Sequence, residues 1–64
     1  MCLSTVFECR KDGPDACLLR NVANVRVEPE QIIFTDLMGA RTVYTGRLYN
    51  MDLIENTITV SKDE

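Results

Sequence analysis

Three cysteines, Cys2, Cys9 and Cys17, carry most of the chemistry this sequence offers. An odd number of thiols cannot all pair within one chain. Their spacing, six and then seven intervening residues, is not that of a zinc knuckle, whose paired ligands stand two to four residues apart. The chain has no histidine, which removes imidazole zinc sites, Ser-His-Asp triads and Cys-His nucleophile pairs. Cys2 stands out by position. Residue 2 is small, so trimming of the initiator Met1 would leave Cys2 with a free α-amine beside its thiol, a five-membered N,S chelate. The amine titrates near ~7.7–8.0 and the thiol near ~8.5, so a metal displaces both protons at modest cost. If Met1 stays, its amine and the Cys2 amide nitrogen still flank the same sulfur. One such chelate supplies only two or three donors, and two chains meeting on a two-fold axis would complete a square N,S set. That geometry suits Ni(II) or Cu(II) rather than tetrahedral zinc, and thiolates in a reducing compartment favour Ni(II). The residues alone leave a second reading open, Cys2 as a small apolar residue of the first strand.

Cys9 and Cys17 flank Asp12-Gly13-Pro14, the strongest turn signal in the chain. In a hairpin they would come close, as a disulfide, a second thiolate pair or two small packing residues. The carboxylates form no acid–base pair: Asp12, Asp15, Asp36 and Asp52 all read as turn residues. Gly13, Gly39 and Gly46 make no phosphate loop. Phe7, Phe34, Tyr44 and Tyr49 read as core and interface, because no basic residues surround them as a stacking platform for nucleic acid would need. No base–nucleophile pair is supplied, so an enzyme is not expected.

The elements that must position these residues read as short strands. Residues 2–9 alternate, with Leu3, Thr5, Phe7 and Cys9 on one face and Cys2, Ser4, Val6 and Glu8 on the other. Further strands are expected over 16–20, from Asn21 to Glu28, over 31–35, over 41–44, over 47–53 and over 57–61. Pro29-Glu30 and Glu55-Asn56 mark turns, and Asn56 suits positive φ. No window keeps a helical period over three turns. Six or seven short strands at spacings near eight residues predict an all-β fold, a small, strongly bent antiparallel sheet or barrel of SH3-like or Sm-like kind, as one domain over residues 1–64.

Composition narrows the partners. Net charge is −3, with pI near 4.7, and the five arginines are scattered, so the electrostatic footprint of nucleic-acid binding is missing. No apolar run reaches the length of a membrane span, and residues 1–5 carry no basic region of a secretory signal, so a cytoplasmic protein is expected. A chain of 64 residues buries only ~60% of its unfolded surface and is marginal alone. Help from a staple, a metal or a partner chain is therefore expected.

The opening Met1-Cys2-Leu3-Ser4-Thr5-Val6, then Leu19-Arg20-Asn21-Val22, Val25-Arg26-Val27-Glu28, Ile33-Phe34-Thr35-Asp36-Leu37-Met38-Gly39, Gly46, Asp52-Leu53 and Ile58, resemble the CooT family of small nickel-binding proteins, formerly labelled predicted RNA-binding proteins. The resemblance spans essentially the whole chain. It implies a homodimer of small β-rich subunits that holds Ni(II) between them through Cys2; main-chain nitrogen of Met1 and Cys2 is expected to supply the remaining donors. It also implies a role as nickel chaperone or store, associated with maturation of carbon monoxide dehydrogenase. Ser4 stands where the family commonly has Ala, and Cys9 and Cys17 are additional thiols. The rival class is a β-barrel module that binds RNA or protein, with Cys2 structural.

Overall fold

The computed structural model describes residues 3–62. Among them there is no helix. Six strands, β1 (Ser4–Glu8), β2 (Ala16–Val27), β3 (Ile32–Asp36), β4 (Arg41–Tyr44), β5 (Arg47–Asp52) and β6 (Thr57–Ser61), form one sheet in the order β4-β3-β2-β1-β6-β5. The all-β expectation holds, and the limits of β4 and β6 are those expected.

The sheet is mixed rather than wholly antiparallel. β1 and β6, the first and last of these strands, run parallel in its interior, with Val6 beside Ile58 and Glu8 beside Val60. The chain between them holds four strands, far more than the dozen or so residues a parallel crossover requires. β2 is a single strand of 12 residues where two were expected. Asn21 takes φ 59° and keeps the chain in the ladder while turning it. The register then slips between Val22 and Asn24, a bulge that bends the strand.

Alternation selects the buried face. Val6, Val22, Ile32, Phe34, Tyr44, Ile58 and Val60 form the core, with Leu19 and Val25 packed against it. Every strand but β5 contributes a buried residue to the core, and β5 is held instead by its ladder to β6. Of the four aromatic residues, Phe34 and Tyr44 are core as expected. Tyr49 is exposed at the β5 irregularity, and Phe7 lies half-buried on the outer face.

The sheet is not closed into a barrel, because the edge strands β4 and β5 do not pair. Yet only Thr45 and Gly46 join them, and three residue steps span at most ~10 Å. The two edges must therefore meet at that corner, which forces a strong curl. Gly46 permits the approach. A Cβ there would stand 2.5 Å from the Ser61 carbonyl oxygen and 2.5 Å from Tyr44 Cε2.

Candidate functional site

The sheet has two chemically different ends. β1 starts at the first of them. Ser4 lies opposite Val22, Val22 opposite Asp36, and Thr5 beside Thr57. Leu3, the β3–β4 turn and the β5–β6 turn are thus brought together, although 50 residues of chain separate the first from the last. Thr5 donates its N–H to the Asn56 carbonyl (3.0 Å), and Leu37 donates to that of Asn21 (2.9 Å).

Both turns are built by aspartates, as their sequence positions suggested. Asp36 Oδ1 accepts from the N–H groups of Met38 and Ala40, each at 2.9 Å, and Gly39 takes φ 90°. Asp52 Oδ1 accepts from Ile54 and Glu55, each at 3.0 Å, and Asn56 takes φ 58°. With their polar groups satisfied internally, the turns present apolar tips. Leu37 is 61%, Met38 88%, Leu53 77% and Ile54 89% exposed. Four large apolar side chains gathered at one end of so small a domain are more than scattered surface residues require.

Met1 and Cys2, the expected metal ligands, lie outside the described residues. Their point of attachment, Leu3, is at this apolar end. Among the described residues no three Cys, Asp or Glu side chains gather as a metal-binding group. Asp36 and Asp52, in the turns at this end, are occupied with backbone donors.

The opposite end is charged, and the alternation put its central residue on the Val6 face without naming its partner. Glu8 points into the core, 8% exposed. Tyr44, on edge strand β4, donates its hydroxyl to Glu8 Oε2 at 2.7 Å, across the concave face from strand to non-adjacent strand. Arg10 Nε meets Glu8 Oε1 at 2.9 Å, and Lys62 Nζ sits 4.7 Å from the Tyr44 ring centroid. The Tyr44 hydrogen bond holds the Glu8 carboxyl below the usual range against the opposing effect of burial, with the charges of Arg10 and Lys62 assisting. Burial raises the Tyr44 phenol well above its ordinary value, and the Glu8 carboxylate adds to the shift. An interior strand position carrying Glu, and a Tyr ending a strand 36 residues later, were the signals available in the sequence. The cluster clamps the curl. Beside it lies an open groove of about 390 Å³ lined by Leu18, Leu19, Phe34, Thr42 and Lys62.

No helix among the described residues is long and apolar enough to cross a membrane. No curated protein matches the chain. A provisionally named CooT from Carboxydothermus hydrogenoformans, known from its crystal structure, is 17% identical and covers 98% of this chain and 100% of its own, with a TM-score of 0.85. At that identity the likeness shows a shared fold. The model of the family "CO dehydrogenase accessory protein CooT" matches residues 1–61. That match takes in the Met1-Cys2 opening, both apolar turns and all six strands, and on it the chain belongs to the CooT family of CO dehydrogenase accessory proteins.

Proposed function

We propose that this protein is a cytoplasmic nickel-binding accessory factor that holds Ni(II) between two subunits through Cys2, as a chaperone or store serving a nickel enzyme of the CO dehydrogenase kind. The observation that carries this reading is membership of the accessory family over residues 1–61, a span that includes Cys2. The geometry supports it. Leu3 leads the chain to an end of the sheet flanked by Leu37, Met38, Leu53 and Ile54, an apolar surface that a second copy would cover. Two copies related by a two-fold axis through that end bring their N-termini together. The N,S donors of each then supply half of a square-planar set, which suits Ni(II). Burial of the four exposed side chains in each subunit also answers the thin core of a 64-residue domain.

Cys2 supplies the thiolate and the main-chain nitrogens of residues 1 and 2 the remaining donors. Each thiol must lose its proton on binding, so affinity rises with pH. Release of the metal to a recipient requires only that the dimer open or that a competing ligand enter at the exposed end. The test is titration of the purified protein with Ni(II), with native mass spectrometry to count chains and metal. One Ni(II) per dimer, abolished by Cys2→Ser, is expected. Unchanged affinity in Cys2→Ser would overturn the assignment. Loss in Cys9→Ser or Cys17→Ser alone would move the site.

A further inference from the structure

Cys9 and Cys17 play no part in the nickel site proposed above, and the fold places them together. Both are free thiols, Cys9 half-buried and Cys17 exposed. In the β1–β2 ladder Phe7 stands opposite Cys17 and Glu8 opposite Ala16. Cys9 follows in extended chain, its N–H donated to the Val60 carbonyl at 2.8 Å. Alternation puts Phe7 and Cys9 on the same outer face, and Cys17 shares the face of its partner Phe7. The two cysteines are therefore diagonal neighbours across one hairpin.

That separation decides what they can do. Diagonal neighbours lie about 7–8 Å apart, with Cβ atoms somewhat closer. A disulfide needs Cβ atoms about 3.5–4.5 Å apart, so the ladder holds the thiols too far for a direct bond. A metal ion between them adds two bonds of about 2.3 Å each, which spans the gap without breaking the register. No group of three Cys, Asp or Glu forms among the described residues, so tetrahedral zinc lacks its ligand set here. Soft thiolates select Cu(I), which is satisfied by two sulfurs in line. The surroundings have the matching charge. Cys9 shares a surface groove with Arg10, Lys11 and Lys62, and Glu8, which also borders it, is engaged by Tyr44 and Arg10. Two thiolates on one monovalent cation carry a net charge of −1, and the groove's cations offset the part of it on Cys9; Cys17 does not line the groove.

We propose that Cys9 and Cys17 form a two-thiolate binding site for a soft monovalent cation of the Cu(I) class on the outer face of the β1–β2 hairpin. Binding forms two metal–sulfur bonds and releases two thiol protons to solvent. No oxidation state changes, and affinity falls as pH falls.

The test uses the full chain carrying Cys2→Ser, so that these are its two remaining thiols. Cu(I) is titrated anaerobically at dilute protein concentration against a chromophoric Cu(I) chelator. One Cu(I) per chain is expected. Cys9→Ser and Cys17→Ser, each added to that background, should lower affinity by more than the ~100-fold that loss of an outer-shell contact costs, and the double variant should bind no worse than either single. X-ray absorption should report two sulfur scatterers on the metal. Retention of affinity in either single variant, or two small losses that add, would overturn the proposal. So would loss of all Cu(I) binding in Cys2→Ser alone. Both positions are partly or fully at the surface and Ser is nearly isosteric, so a far-ultraviolet dichroism melt verifies the fold of every variant. Ni(II) titration of Cys9→Ser and Cys17→Ser, expected unchanged, reads the nickel reading separately.

Discussion

Replacing each of the three glycines by alanine separates three physical effects in one small domain. At Gly46 the new Cβ would meet the Ser61 carbonyl oxygen and Tyr44 Cε2, each at 2.5 Å. Comfortable carbon contacts lie near ~3.5–4.0 Å, so the overlap is about 1 Å against two groups at once. Neither group can give way cheaply. Ser61 is paired with Arg47 in the β5–β6 ladder, and the Tyr44 ring is buried with its hydroxyl tied to Glu8. Overpacking costs about 1–3 kcal/mol, and two stiff neighbours place Gly46→Ala near ~3 kcal/mol. At Gly39 space is open but φ is 90°. A left-handed alanine costs roughly 1–2 kcal/mol. Its stiffer unfolded chain returns about 0.4–1 kcal/mol, leaving a loss near ~1 kcal/mol. At Gly13 nothing lies within 4 Å and φ is not positive, so only that gain remains. A domain of this size has about 3–10 kcal/mol of stability in all, so Gly46→Ala removes a large part of it. Thermal and urea melts of the three variants at one protein concentration measure the series, and midpoints should fall by roughly 4–8 °C per kcal/mol. A Gly46→Ala protein no less stable than Gly39→Ala would refute the closed corner between β4 and β5.

The remaining predictions concern the two ends of the sheet. Glu8 is depressed in the folded state, so its contribution is complete above its unfolded pKa of about 4.3 and is lost as pH falls through the folded value. Tyr44 is raised, so its contribution is complete below about 10 and is lost as pH rises through the folded value. Tyr44→Phe should therefore flatten the stability–pH curve in acid and in alkali alike; an unaltered acid limb in denaturant titrations would contradict the clamp. Asp36→Ala removes the acceptor of two turn N–H groups and should cost about 1 kcal/mol by urea melt, with Asp36→Asn retaining part of it. Ile54→Lys puts a charge on a side chain that is 89% exposed in the subunit. Analytical ultracentrifugation should then show folded monomer, and a wild-type dimer would exclude this end as the interface.

Much of the fold was legible because alternation assigns faces. Ile58 and Val60 inward, Asp36 and Asp52 bonding their own turns, and Asn56 at positive φ all follow from residue type and spacing. Alternation does not assign neighbours. That β6 lies parallel to β1 depends on the path of four intervening strands, which no local pattern records. The joining of two expected strands into β2 turned on Asn21, a residue equally suited to ending a strand and to bending one. Glu8 was hidden for a different reason. A carboxylate at an inward position is read as solvent-facing unless its partner is known, and Tyr44 lies 36 residues away on a strand that is not adjacent. The reading of Cys2 as a metal ligand rests on its type and position alone, and that residue lies outside the described ones. The apolar turns at the end where β1 starts became visible only when three distant segments were brought to one end.

The parallel pairing of β1 with β6 also bears on how the molecule is made. β1 is synthesised before the other five strands, yet the strand that covers one side of it follows all of them. A sheet in which an interior pair joins strands so far apart in sequence has high contact order and folds slowly for its size. On the ribosome, β2 and β3 can pair with each other and with β1 as they emerge, but one central edge of β1 stays open until Thr57–Ser61 leave the exit tunnel. An open edge bearing apolar side chains is a template for another chain's strand. β1 is thus exposed to mispairing for as long as β6 is not available, and loss of the few residues of β6 would leave β1 without its neighbour.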